Sequence, residues 1–297
     1  MTAATENSGS LFCFGLGFSA RHLIERLDRA HWHIAGTVRE TEAAQRWLAA
    51  GVDAYTFDGT AKTPGIEAAL SAATHVLVSA PPGADGDPVL LHYRNVLAAT
   101  PGIGWIGYLS TVGVYGEHHG GWVDEATPAS PVSARSRHRR TAEEAWEAFA
   151  NETGKRIVIF RLAGIYGPGR SAIDSVLDGR ARRIIKRGQR FNRIHVTDIA
   201  NALLASMAGK GNARILNVTD DLPAPPQNVI TYAAELLGVP APPEVPFEEA
   251  QLSAMARSFY GENKQVRNDL LKRDLGITLT FPTYREGLAA IAKRTKR

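Results

Sequence analysis

Leu11-Phe12-Cys13-Phe14-Gly15-Leu16-Gly17-Phe18-Ser19-Ala20 is the stretch that decides the fold. A short apolar run ends in glycine and opens at once into a helical pattern carried by Leu23, Ile24 and Leu27. That combination reads as a buried strand feeding an amphipathic helix. The alternation continues downstream. His33–Val38, Val52–Phe57, Thr74–Ser79 and Ile103–Leu109 carry strand signals, and helical patterns separate them. One helix is capped at Thr41, one covers Ile66–Leu70, and one covers Pro88–Ala99 behind Asp87. Strands that are apolar throughout belong in a parallel sheet covered on both faces. Right-handed crossovers then give a doubly wound α/β domain.

Later segments are less regular. Thr141–Ala150, Val196–Met207 and Gln227–Leu237 read as helices, the last ended by Gly238; Arg156–Leu162 and Ile215–Val218 read as strands. The expected division is a disordered stretch over 1–10 and a Rossmann-type domain over 11–167, with further elements from about 195–220. Residues 168–297 form mainly a smaller α+β substrate domain.

The glycine loop has the form GxGxxA in the required strand–helix setting. Gly15 permits the tight turn, Gly17 lets a pyrophosphate approach backbone, and Ala20 lets helix pack closely on strand. Phe18 and Ser19 lie in the same loop and complete its contacts. The end of the second strand should meet the adenosine ribose, where an arginine accommodates a 2′-phosphate. Arg39 stands there and favours NADP over NAD, although Glu40 beside it opposes a phosphate. Asp58 is placed to accept from adenine, or is an ordinary turn residue before Gly59. Ala80, Pro81 and Tyr166 complete the expected cofactor set.

Composition narrows the class. The chain has 297 residues, 44% hydrophobic and 22% charged, with a formal charge of +4; this suits a globular protein and is too mild to argue for nucleic acid. Cys13 is the sole cysteine, so neither a disulfide framework nor a cysteine metal site is expected. The polar N-terminus does not read as a signal peptide, and no apolar run approaches a membrane span. A cytoplasmic protein follows as the expectation; a homodimer stays open.

Three further segments are Leu109-Ser-Thr111-Val-Gly-Val-Tyr115-Gly116, Arg161-Leu-Ala-Gly-Ile-Tyr166-Gly-Pro-Gly169 and His195-Val-Thr-Asp198. In this order behind the glycine loop, over about residues 11–235, they resemble the extended short-chain dehydrogenase/reductases, the NAD-dependent epimerase/dehydratase family, and its divergent atypical members best. The resemblance implies a Rossmann sheet carrying NAD(P), a smaller substrate domain, and substrates that are often nucleotide-linked sugars. It also makes Thr111 the hydroxyl that holds the reacting oxygen. The family's Tyr-x-x-x-Lys acid–base pair falls on Arg135 and Arg139, and no tyrosine stands between Tyr115 and Tyr166. Arginine does not give up its proton, and losing a general acid–base typically costs about 10²–10⁴ in rate.

Three readings follow. Tyr115, Tyr166 or His118 replaces the lost donor; or arginines such as Arg135 and Arg139 stabilise an oxyanion; or the chain is a catalytically silent NADP-binding sensor or interaction protein. The enzyme readings take precedence. Arg135–Arg140 and the group Arg180, Arg182, Arg183, Lys186, Arg187, Arg190 and Arg193 read as a site for phosphate or carboxylate, hence a small anionic substrate, or as solvated faces. No metal site is expected, and Asp198 is expected to shape a helix start.

Overall fold

The computed structural model describes residues 8–295. Its strands are β1 (Gly9–Phe14), β2 (Trp32–Val38), β3 (Asp53–Thr56), β4 (His75–Val78), β5 (Trp105–Thr111), β6 (Trp122–Val123) and β7 (Ile157–Leu162). Shorter ones follow: β8 (Gly164–Tyr166), β9 (Arg183–Ile185), β10 (Arg193–His195), β11 (Ile215–Val218), β12 (Glu244–Pro246) and β13 (Gln265–Val266). In chain order the helices begin with α1 (Phe18–Ile24), α2 (Thr41–Ala49), α3 (Ile66–Ser71), α4 (Pro88–Ala99), α5 (Ala134–Thr153), α6 (Ala172–Leu177) and α7 (Val196–Met207).

Seven strands form one parallel sheet in the order β11-β7-β5-β4-β1-β2-β3. The order reverses between β1 and β4, the topological switch point of a doubly wound sheet. Burial explains the apolar strands: Leu11–Phe14 and Val76–Val78 are fully enclosed. Around them Tyr93 and Leu97 of α4 and Trp146 and Phe149 of α5 close the core.

The chain falls into two compact units that interleave along the sequence. Of the described residues, one holds 8–110, 137–160 and 200–215; the other holds 111–136, 161–199 and 216–295. The chain therefore crosses between units several times. Gly9 and Ser10 belong to β1, while residues 1–7 of the stretch expected to be disordered lie outside the described residues.

Two local expectations change. Thr41 is the first residue of α2, not its cap; the N-cap is Glu40, whose side chain makes no capping bond. Helix α5 begins at Ala134 rather than Thr141. The Ser133 hydroxyl accepts the Ser136 amide at 3.1 Å. One turn later Arg140 pairs with Glu143, Glu144 and Glu147, the spacing at which helix side chains meet.

The second unit has its own core around Tyr166, Ile173, Val229, Tyr284 and Leu288. Here β6 pairs with β13, β8 with β10 and β9 with β12, each over two or three residues. Side-chain amides extend this pairing. Asn192 donates to the Lys264 carbonyl at 3.0 Å and accepts the Val266 amide at 2.8 Å. Asn263 donates to the Gly188 carbonyl and accepts the Arg190 amide. Gln189 donates to the Glu262 carbonyl, and Gln265 to that of Gly120.

Candidate functional site

In the first unit, the glycine loop sits at the end of β1. Gly15 has φ +100°, and a Cβ there would lie 2.4 Å from the Ser79 hydroxyl. That hydroxyl donates to the carbonyls of Phe14 and Gly15 at 3.1 and 2.9 Å. Thr37 holds the loop from the other side: its hydroxyl accepts the Gly15 amide at 3.0 Å and its carbonyl the Leu16 amide at 2.8 Å. Neither Thr37 nor Ser79 stands out in the sequence, since hydroxyls at strand ends carry no pattern of their own.

Gly17 is exposed, has ordinary extended backbone, and begins α1 without a side-chain cap. A Cβ built on it meets nothing within 4 Å. The loop thus offers open space beside a backbone that a phosphate can approach, so the residues present fit a dinucleotide. Ser19 and Ala20 are buried against the sheet, and the half-buried Phe18 ring leans on His22 at 4.7 Å.

Arg39 and Glu40 are both exposed just past β2. One oxygen of Asp58 accepts the Thr60 amide at 2.9 Å and the Thr60 hydroxyl at 2.7 Å, and these bonds hold the carboxyl below its usual range. Asp58 is therefore accounted for as a turn residue. Beyond β4, Ala80 is half-buried and Pro81 exposed. Arg139 reaches this edge of the sheet: its Nη1 donates to the Tyr108 hydroxyl and the Leu109 carbonyl, both at 3.0 Å, and to the Ala80 carbonyl at 3.4 Å. Lys155, the lysine nearest the missing pair, donates to the Thr100 carbonyl at 2.7 Å and is structural.

In the second unit, the Thr111 hydroxyl accepts the Gly113 amide at 3.1 Å and caps the 3₁₀ turn Val112–Tyr115. Arg135 is exposed. Tyr115 is fully buried; it donates to Asn217 Oδ1 at 2.8 Å, lies under Arg161 at 4.8 Å, and burial pushes its phenol up. Tyr166 sits in the unit's own core, donates to the Thr283 carbonyl at 3.4 Å, and is pushed up further by burial. Packing accounts for both phenols, and burial holds the proton of each. His118 is half-buried with Nε2 3.0 Å from the Tyr115 carbonyl. That nitrogen therefore donates to the carbonyl.

The second basic group is spent on the fold. Arg182 bonds the carbonyls of Gly179 and Ala181, Arg183 that of Pro242, Lys186 that of Tyr260, Arg190 that of Pro223, and Arg193 those of Phe191 and Ala224. Arg180 pairs with Asp178, and Arg187 is the exposed remainder. Asp198 accepts the amides of Thr280 and Phe281 at 2.7 and 3.0 Å, a tertiary tie beyond the helix start expected of it. Among the described residues no group of three metal-ligating side chains gathers, and no helix is long and apolar enough to cross a membrane.

Asp220 adds a pH dependence. It is buried with Oδ2 unbonded; burial, ahead of any neighbouring charge, pushes its carboxyl up to about 8, against the opposing pull of Arg193. An unfolded aspartate titrates near about 3.9. The folded form keeps the proton longer, so this stabilising contribution is complete below about pH 4 and is lost as pH rises through about 8. Urea unfolding of wild type and Asp220→Asn from pH 5 to 8.5 should show wild type losing stability relative to the variant. Parallel curves would mean that Asp220 ionises in place without cost.

The fold and loop define a dinucleotide-binding α/β protein. The NAD dependent epimerase/dehydratase family model matches residues 15–219, and the chain belongs to that family. It is similar to a conserved protein of unknown function from Silicibacter pomeroyi DSS, 46% identical, with TM-score 0.87 over 98% of this chain and 100% of that one. Protein YeeZ of Escherichia coli K12 is 27% identical over 238 residues, 77% of this chain and 84% of that protein. The UDP-glucuronic acid 4-epimerase of Bacillus cereus, solved in complex with NAD, shares the fold at TM-score 0.74 and 18% identity, over 97% and 96% of the two chains.

Proposed function

We propose that this protein binds NADP(H) in preference to NAD(H) and performs oxidoreductase- or epimerase-like chemistry on a small anionic substrate, without a phenol as acid–base. The observation that carries the reading is the open, uncapped Gly17 within a loop pinned by Thr37 and Ser79. When bound, the cofactor supplies a hydride donor or acceptor at the nicotinamide C4. Gly15, Gly17, Phe18, Ser19 and Ala20 would hold the pyrophosphate and Arg39 the 2′-phosphate. The Nε and Nη2 protons of Arg139 have no acceptor among the described residues and lie at the ends of β4 and β5, the edge where open α/β sheets bind ligands. Thr111 and Arg135 are assigned to the substrate, and a nucleotide-linked sugar such as that named for the Bacillus cereus epimerase fits the anionic class. The cytoplasm is the proposed setting, in keeping with a buried, unpaired Cys13, and a homodimer is compatible with it.

Titration of both reduced cofactors tests the preference. A charge-assisted bond is worth about 1.5–3 kcal/mol, so wild type should bind NADPH roughly tenfold to a hundredfold more tightly than NADH. Arg39→Ala should weaken NADPH and leave NADH nearly unchanged. Equal binding of the two by wild type would make Arg39 a surface charge. A second reading, a cofactor sensor without turnover, is favoured by the burial of Tyr115 and Tyr166; turnover of any substrate removes it.

A further inference from the structure

In the second unit, Phe191 and Ala224 exchange backbone bonds both ways. The Phe191 amide reaches the Ala224 carbonyl at 3.0 Å, and the Ala224 amide reaches the Phe191 carbonyl at 3.1 Å. Arg193 lies across this bridge. Its Nη1 donates to the same two carbonyls, at 3.0 Å to Phe191 and 3.2 Å to Ala224. The bridge joins the chain entering β10 to the loop before the helix Pro226–Leu237, and one guanidinium nitrogen closes it. Nε and Nη2 of Arg193 have no acceptor among the described residues.

Asp220 stands beside Arg193 without pairing with it. Its amide donates to the Arg193 carbonyl at 2.7 Å, so the two residues are neighbours in register. Oδ1 accepts the Leu222 amide at 3.2 Å, Oδ2 has no partner, and the residue is 1% exposed. Among the described residues no ion pair joins the two side chains. The other charges around Asp220 are Asp221, next in the chain, and Glu286 on the helix Tyr284–Thr295, and both oppose its ionisation. Tyr166 of β8 faces it as well. Asp221 is itself engaged by Lys272 at 2.5 Å and by the Asn268 side-chain amide at 2.7 Å. Arg193 is the cation whose field favours the Asp220 carboxylate. A buried carboxylate without a partner is costly, and a guanidinium holds a carboxylate more strongly than it holds neutral carbonyls.

We propose that Asp220 and Arg193 form a pH-sensitive clamp. With Asp220 protonated, Arg193 closes the Phe191–Ala224 bridge; with Asp220 ionised, the guanidinium leaves the two carbonyls for the carboxylate and the bridge opens. Every group in the device belongs to the second unit, and it stands independently of the cofactor reading. Burial carries the Asp220 carboxyl up to about 8. The closed form therefore holds at neutral pH, and the open form takes over on the alkaline side.

Amide hydrogen exchange of the intact protein tests the clamp from pH 6.5 to 9, read as protection factors so that the intrinsic pH dependence of exchange is divided out. The Phe191 and Ala224 amides should lose protection about tenfold or more across this range, as the loss of a charge-assisted bond implies, while the amides of β1 keep theirs. Asp220→Asn, which keeps an acceptor for the Leu222 amide and cannot ionise, should hold the neutral-pH protection throughout. Infrared difference spectra of wild type alone should show a protonated-carboxyl band vanish with the same midpoint, so the test does not depend on the variant folding. Wild-type protection that is flat with pH, or lost at a midpoint other than that of the carboxyl band, overturns the clamp. A folded Asp220→Asn variant that keeps the wild-type transition does so too.

Discussion

Gly17→Val is expected to give a folded protein that no longer binds NADPH. Gly17 has extended backbone at φ −88° and ψ −163°, which valine adopts readily. Its Cβ would meet nothing within 4 Å, so the free protein has no reason to shift. The same space is what a pyrophosphate needs in order to reach the loop amides. Losing two charge-assisted bonds of about 1.5–3 kcal/mol each weakens binding by about a hundredfold or more. Gly15→Ala should behave in the opposite way. Its φ of +100° and the Ser79 oxygen at 2.4 Å strain the fold itself, at a cost of about 1–3 kcal/mol. NADPH fluorescence titration beside thermal unfolding separates the two effects. Wild-type affinity in Gly17→Val would reduce the loop to a tight turn.

Asp198→Ala is expected to cost more stability than either glycine substitution. Asp198 is fully buried in α7, and its two oxygens take the amides of Thr280 and Phe281, 82 and 83 residues along the chain. Removing the carboxylate strands both amides, each at about 1–3 kcal/mol, so a total of about 2–6 kcal/mol is expected. The urea midpoint should fall with an unchanged m-value. Asp198→Asn, which retains one acceptor oxygen, should lose less. Equal midpoints for wild type and Asp198→Ala would show that water replaces the carboxylate at no cost.

The sheet is legible in the sequence because its strands are apolar end to end, and nothing except burial on two faces explains Leu11–Phe14 or Val76–Val78. The helix over Pro88–Ala99 is legible because Asp87 and Pro88 announce it, and Asp87 does accept the amides of Val89 and Leu90. The start of α5 is not, because its first turns are a run of arginine and histidine whose helical support comes from the Ser133 cap and from glutamates further on. The paired strands β6–β13, β8–β10 and β9–β12 are too short to show a period. At the site, the glycine loop and the missing Tyr-x-x-x-Lys pair can be read directly. The fate of the guanidiniums cannot, since Arg182, Arg183, Arg190 and Arg193 end on backbone carbonyls, and every residue type carries one.

The amide side chains that stitch the second unit bear on how this chain can diverge. Asn192 and Asn263 each give one bond and take another, joining the stretch around residues 188–192 to that around 262–267. An aspartate of the same shape has no N–H to give, and a leucine can do neither. Loss of either asparagine leaves an unpaired backbone amide and carbonyl on the opposite stretch. Insertions meet the same barrier, since one extra residue would carry every bond past its partner. Because the partners are backbone groups, which every residue type carries, the constraint on two stretches some seventy residues apart falls on the two asparagines and on the spacing of the chain around them, while the side chains opposite stay free to change.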